Sequence, residues 1–339
     1  MNSKSYCLGI DTSNYTTSAA LVDEELNIVG NSRKILEVRQ GERGLRQSQA
    51  LFEHIGNLPQ IIENMGINEK KCRIAVVAAS ERPRNVEGSY MPVFLAGSSL
   101  GRSVSAVTGA QYYGYSHQEG HIEAAKYSSG YNGGDEFLCL HLSGGTTEVL
   151  KCKELPGGRG YDAEIVGATK DLALGQFIDR VGVSLGIPFP CGKYIDKYAC
   201  EMEENGEPDL LKVHKKLFCR IKTEEGMMNV SGIETQIQRY IDKEKDETQM
   251  FKGIVSYALM SRIGQALKDV IDQARKNTEI GSVIMAGGVS ASRFIRKMFE
   301  NDKELYFGSP ELSSDNAVGI AIMGMKRYLA DETGSSFTG

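Results

Sequence analysis

The sequence predicts an α/β protein built as two related lobes, on three observations. Apolar strand-like runs alternate with amphipathic helical segments. A strand, polar turn, strand unit occurs twice. And 339 residues exceed the roughly 250–300 at which one hydrophobic core stops growing. A cleft between the lobes is then the expected seat of function. The composition, 41% hydrophobic and 24% charged with 8 Pro and no Trp, is that of a globular chain and excludes collagen-like or low-complexity material. No apolar run approaches the ~20 residues that span a bilayer, and Met1-Asn2-Ser3-Lys4 leads into a strand without the apolar stretch of a signal peptide, so a cytoplasmic protein without membrane contact is expected.

The elements follow in order. Residues 6–10 read as a buried strand, Asp11-Thr12-Ser13-Asn14 as a turn, and Thr17 to Val22 as the returning strand. A helix is expected over 47–65, with Leu51, Ile55, Leu58, Ile61 and Ile62 on one face, then a strand at 73–79, a loop at 80–93 and a helix near 97–105. The second strand–turn–strand unit runs from Phe137 through Ser143-Gly144-Gly145-Thr146-Thr147 to Leu150. Helices are expected at 168–186, 192–205 and 246–277, the last buried along Phe251, Val255, Leu259, Ile263 and Val270. A strand at 282–286 meets Gly287-Gly288 and a helix from Ser290 to Phe299, and a final helix starts at the N-capping trio Ser313-Ser314-Asp315 and reaches about Tyr328. The corresponding domain division is 1–110, completed by a helix at about 313–330, and 111–312.

Several features carry chemistry. Two glycines directly after a strand, at Gly144 and Gly145, let backbone N–H groups approach an anion, with Ser143 and Thr146 adding hydroxyls; a plain tight hairpin uses the same residues. The hydroxyl-rich Asp11–Thr17 turn has similar character, and Gly287-Gly288 before a helix offers a flat wall for an adenine or ribose. None of these is a Walker A loop or a dinucleotide fingerprint. His117 and His121, at i and i+4, share one side of a helical turn and can share a metal, although two exposed polar residues have the same spacing. Asp179 and Asp196 flank the Pro188–Gly192 bend, where a carboxylate serves a ribose or simply caps a helix. His54, His141 and His214 stand alone and read as core or surface residues. The seven cysteines form no C-x-x-C pair and read as buried free thiols. A net charge of -5 disfavours unaided grip on nucleic acid, leaving Arg33, Lys34, Arg39, Arg43 and Arg46 as the one basic patch, among Glu37 and Glu42.

The order of these pieces resembles the catalytic subunit of tRNA threonylcarbamoyladenosine synthase, the family once called glycoprotease or O-sialoglycoprotein endopeptidase. The segments that carry the resemblance are GIDTSNYTTSAAL (9–21), SHQEGH (116–121), LSGGTTE (142–148), GQFIDRVGVSLGIPFPCG (175–192), NVSGIET (229–235), VIMAGGVSASR (283–293) and SPELSSDNAVGIA (309–321). The resemblance implies an actin-like, sugar-kinase-like (ASKHA) two-lobed fold with duplicated ribonuclease-H-like domains. It implies a divalent metal, iron or zinc, on His117, His121 and Asp315. It also implies ATP or an adenylate on Ser143, Gly144, Gly145, Thr146, Asp179, Gly192, Asp196, Gly287, Gly288 and Ser292, with Thr12, Ser13 and Thr16 as catalytic hydroxyls. The activity implied is transfer of a threonylcarbamoyl group from an adenylate to an adenosine of tRNA next to the anticodon, with a protein partner or second copy docked on the N-terminal lobe.

The chain departs from the family at four places. Asn14-Tyr15-Thr16-Thr17 stands where an acidic residue is usual, and the Gly-Pro-Gly run is replaced by the charged stretch Glu81–Tyr90. Ser292 replaces an asparagine of the adenine pocket, and Thr146 a His or Asn of the phosphate loop. A divergent paralogue is expected, with a carbamoyltransferase for a small acceptor or a catalytically weak partner subunit as alternatives. Protease activity is not expected.

Overall fold

Each strand–turn–strand unit lies at the heart of a sheet. The computed structural model describes residues 4–13, 15–36, 45–68, 70 and 72–334. It divides into two units: Met1–Ser128 with Lys153–Ala163 and Ser314–Gly339, and Ser129–Cys152 with Glu164–Ser313.

In the first unit, β1 (Ser5–Thr12) and β2 (Thr16–Asp23) pair antiparallel, Thr12 opposite Thr17, and β3 (Ile28–Ile35) adds antiparallel to β2. β4 (Arg73–Arg82) and β5 (Gln111–Ser116) extend the other side in parallel, giving the order β3-β2-β1-β4-β5. β1, β2 and most of β4 are buried, which is why they read as continuous apolar runs. β3 carries Asn31, Ser32, Arg33 and Lys34 and is largely exposed, so its sequence looks like a solvated charge run and not a strand. Of the basic patch, Arg39 and Arg43, with Glu37 and Glu42, fall outside the described residues, as does Asn14 of the turn.

Helices α1 (Gln47–Glu63) and α2 (Phe94–Thr108) bury Leu58, Ile61 and Ala96 against Leu8, Ile10 and Val77. The inward stripe of α1 is Ala50, His54, Leu58 and Ile61, whereas Ile55 is 58% exposed. The expected stripe is therefore rotated by about one residue, because the structure admits a histidine where an apolar pattern skips it. α3 (His117–Ser129) follows β5 without a loop. The C-terminal helix, Val318–Glu332, crosses β1 at Gly9, where a Cβ would sit 2.7 Å from the Ala317 carbonyl.

In the second unit, β6 (Glu136–Leu142), β7 (Thr147–Glu154), β8 (Tyr161–Thr169), β9 (Lys222–Glu224), β10 (Met227–Asn229), β11 (Val283–Ala286) and β12 (Leu305–Phe307) form one sheet in the order β12-β11-β6-β7-β8-β10-β9. The run β8-β7-β6-β11-β12 repeats the order of the first sheet, with the glycine turn between β6 and β7 in the place of the Thr12–Thr16 turn. Helices α4 (Leu174–Ser184), α5 (Gly192–Asn205), α6 (Pro208–His214), α7 (Ser231–Glu244), α8 (Gln249–Thr278) and α9 (Arg293–Met298) surround it, with α8 its buried strut.

Three boundaries differ from expectation. The helix expected from 168 begins at Leu174, because Ala168 and Thr169 are drawn into the sheet by pairing with β10. The helix expected from Ser290 is a 3-10 turn followed by short α9. The final helix starts at Val318, where Asn316 Oδ1 accepts from the Val318 amide, and Asp315 is thereby left out of any capping role. Cys7, Cys139, Cys152, Cys191 and Cys200 are buried free thiols, while Cys219 is exposed. Among the described residues no helix is long and apolar enough to cross a membrane.

Candidate functional site

The first site begins with a capping box that the sequence spells as Ser116-x-x-Glu119. Ser116 N donates to Glu119 Oε2 at 2.7 Å, and Glu119 N donates to Ser116 Oγ at 3.2 Å. This fixes the first turn of α3, so His117 and His121 face the same way with Nε2 atoms 3.1 Å apart. Asp315 Oδ1 lies 3.2 Å from His121 Nε2 and 3.7 Å from His117 Nε2. What brings it there is a glycine contact between helices. A Cβ on Gly319 would lie 2.9 Å from both the Ala124 amide nitrogen and the Gly120 carbonyl carbon, so the C-terminal helix approaches α3 closely only without one.

These three side chains place one ligand atom each within 4.8 Å of one another. Two ligands held ~2.1 Å from an ion at 90–110° stand about 3.0–3.4 Å apart, a range that contains the 3.1 and 3.2 Å spacings, while the third, from His117 to Asp315, is wider at 3.7 Å. Two imidazoles and a carboxylate suit iron or zinc and leave coordination positions open.

Asp11 was missed as a site residue in the sequence, where it reads as a turn former. Its Oδ1 sits 2.9 Å from His117 Nδ1, and its Oδ2 is buried with no hydrogen-bond partner. A carboxylate on Nδ1 fixes the tautomer that leaves the Nε2 lone pair for an ion. The ring environment has the same cause: burial opposes charging of His117, but the Asp11 and Asp315 carboxylates outweigh it and push its pKa up to about 9. Burial would raise Asp315, yet the His121 hydrogen bond, the neighbouring imidazoles and Ser13 hold its carboxyl well below the usual range. Three electron-rich atoms converge here, and the site favours a cation.

The predicted hydroxyls separate. Ser13 Oγ donates to Asp315 Oδ2 at 3.0 Å and belongs to the cluster. Thr12 is fully buried, donating to the Val93 carbonyl at 3.0 Å and accepting from Gly97 N at 3.2 Å, so its hydroxyl is committed inside the protein. Thr16 is buried at the start of β2.

In the second unit, the glycine turn folds on Ser143, whose Oγ accepts from Gly145 N at 3.3 Å and Thr146 N at 3.0 Å. Thr147 Oγ1 accepts from Leu174 N, placing the N-terminus of α4 against the turn; Gly175 is required there, since a Cβ would meet Ser143 O at 2.6 Å. Gly287, at φ +89, likewise has the Leu142 carbonyl carbon 2.7 Å from where a Cβ would be. Gly144, Gly145, Gly192 and Gly288 are different: a Cβ on any of them meets no atom within 4 Å. Asp179 Oδ1 accepts from Cys191 N at 2.7 Å, and burial raises its pKa against the backbone amides of Cys191 and Gly192. Asp196 accepts from Arg293 N and Phe294 N, each at 3.1 Å, and from the Ser292 hydroxyl. Both carboxylates therefore brace turns.

The family model for tRNA N6-adenosine threonylcarbamoyltransferase matches residues 33–322. The chain belongs to this family. It is 28% identical over 329 residues to the tRNA N6-adenosine threonylcarbamoyltransferase of Thermus thermophilus, covering 95% of this chain and 93% of that protein. It is 30% identical over 338 residues to the one from Sulfurihydrogenibium, covering 95% and 90%. Among solved structures, component A of the (R)-2-hydroxyglutaryl-CoA dehydratase of Acidaminococcus fermentans superposes with a TM-score of 0.53 at 14% identity, covering 96% of this chain and 99% of that one. The activator of the Clostridium difficile 2-hydroxyisocaproyl-CoA dehydratase does so with 0.52 at 13% identity, covering 98% and 100%. These two likenesses concern the fold, which is the actin-like, sugar-kinase-like one.

Proposed function

We propose that this threonylcarbamoyltransferase-family chain moves a threonylcarbamoyl group from an adenylate to N6 of an adenosine in tRNA, in the cytoplasm, with an iron or zinc ion on His117 Nε2, His121 Nε2 and Asp315. The observation that carries the reading is the convergence of those three ligand atoms, with Asp11 already on the far nitrogen of His117. Such an ion, when bound, supplies positive charge for phosphate oxygens.

In the transfer, the adenosine amine attacks the carbamoyl carbon and the adenylate phosphate leaves. The chain's own contribution is positioning and charge complementarity. Asp11 keeps the His117 proton on Nδ1, and Ser13 orients Asp315. The open glycines support a nucleotide in the second unit, because neither a positive φ nor protein packing demands glycine at 144, 145, 192 or 288. The open space beside these four glycines leaves the backbone accessible to a ligand lying flat against it. Asp179, Asp196 and Ser292 then act by holding the 187–192 bend and the start of α9 as walls of that pocket. The net charge of -5 makes a protein partner the natural source of additional grip on tRNA.

Deleting the gene tests the reading. N6-threonylcarbamoyladenosine should fall in hydrolysed host tRNA, return with the wild-type gene, and stay low with His117→Ala or Asp315→Ala. Unchanged nucleoside levels on deletion would sink transfer to tRNA.

A further inference from the structure

His54 is fully buried in the inward stripe of α1, and the mechanism so far does not use it. Its Nδ1 lies 2.8 Å from Thr17 Oγ1, and Asn57 Nδ2 donates to the same hydroxyl at 3.4 Å. Since the asparagine amide can only donate, the Thr17 proton is free to point at Nδ1. A neutral ring that accepts at Nδ1 carries its proton on Nε2. That nitrogen is buried and meets no acceptor in hydrogen-bond geometry, so the bond between Nδ1 and Thr17 is what ties the ring to the hairpin. Burial lowers the pKa of His54, more than the Ser13 carbonyl and the Asp11 and Glu53 charges restore, which keeps it neutral near pH 7.

Thr17 is the partner of Thr12 in the last pair of the β1–β2 hairpin, so His54 holds the returning strand opposite the residue that precedes Ser13. The next link is Ser13 Oγ on Asp315 Oδ2. We infer that His54 is a positioning residue for the proposed metal centre: it clamps the β1–β2 hairpin through Thr17, and so sets the orientation of Ser13 and Asp315. A buried apolar residue would fill the same volume but could not accept the Thr17 hydroxyl. The inference rests on the ligand set proposed above.

Two replacements separate the nitrogens. His54→Gln places an amide donor near the Nε2 position, and His54→Asn an amide oxygen near Nδ1. Both disturb the α1 core to a similar degree, so both should lower Tm. The readout is Co2+ titration of the full-length protein, followed by the visible absorption of the bound ion. His54→Asn, which keeps the acceptor for Thr17, is expected to bind within about threefold of wild type. His54→Gln, which loses it, should bind roughly tenfold to a hundredfold more weakly with an altered spectrum, as is typical when an outer partner of a ligand is lost. Equal affinity and spectra for wild type and His54→Gln, or equal losses in both variants, would overturn the inference. Should His54→Gln not fold, Thr17→Val, of the same shape, carries the test: weaker Co2+ binding is expected and unchanged binding overturns it. A wild type that takes up no Co2+ overturns the ligand set and this inference together, whereas the tRNA nucleoside measurement decides the transfer reading separately.

Discussion

Gly319 is where a single methyl group should separate the metal ligands. In Gly319→Ala the new Cβ would sit 2.9 Å from the Ala124 nitrogen and the Gly120 carbonyl carbon, whereas ordinary contact begins at 3.4 Å. The Gly120 carbonyl oxygen lies nearer still, and all three are backbone atoms of α3, so no flexible side chain can yield and the helices must part by about 1 Å or more. Metal sites tolerate ligand displacements of about 0.2 Å, so Asp315, four residues before the contact, and His121, one residue after Gly120, cannot both keep their places. Overpacking of this kind costs about 1–3 kcal/mol, offset by up to about 1 kcal/mol because alanine favours the helix over glycine. The expected outcome is a net loss of roughly 1–2 kcal/mol in urea unfolding of the metal-free protein, with Zn2+ or Fe2+ affinity weakened about tenfold or more. Wild-type affinity in a variant that folds normally would show that the Gly120–Gly319 approach does not set the ligand geometry.

Asp11→Asn should keep the fold and lower metal affinity about tenfold to a hundredfold, because the carboxylate that holds the His117 tautomer is lost; a competition titration giving wild-type affinity would remove Asp11 from the centre. Elsewhere, Arg275 donates to both Asp302 oxygens, at 2.7 and 3.0 Å, and holds that carboxyl below its ordinary pKa against the opposing effect of burial. The folded state therefore takes up the Asp302 proton only at lower pH than the unfolded chain does. The pair's stabilisation is complete above the unfolded pKa of ~3.9 and is lost as pH falls through the folded value. Asp302→Asn should cost about 1 kcal/mol at neutral pH, with the gap to wild type closing as the solution is acidified below about pH 4. A gap independent of pH in urea melts would refute the assignment.

Much of this protein was legible in one dimension. The polar stretches 11–14 and 143–147 interrupt apolar runs, and a polar break between two apolar strands has few outcomes other than a hairpin. His117 and His121 share a side because helix geometry makes i and i+4 neighbours, and the Ser116–Glu119 box marks where that helix starts. The long α8 followed from its apolar period alone. Other features were hidden because their cause lies across the fold. β3 forms from polar residues since β2 offers a free edge to pair with, and Ala168 and Thr169 join the sheet because β10 arrives beside them. By helix signals alone Asp315 looks like a cap until Asn316 takes that place, and the Gly120–Gly319 contact and the Ser13 hydroxyl meet it beside the imidazoles. Asp11 lies far along the chain from His117, and Thr17 from His54, so none of them carries a local signal; hydrogen bonds between sheet and helices give them their roles. Periodicity and spacing act through neighbours a turn or a strand away, so the sequence by itself determined the two strand–turn–strand units, the main helices and the pairing of the two imidazoles, while the family motif around Asp315 pointed to the third proposed ligand. The approach of Asp315 to the imidazoles, and the groups that hold all three in place, depend on backbone contacts and buried polar partners that exist only once the chain has folded.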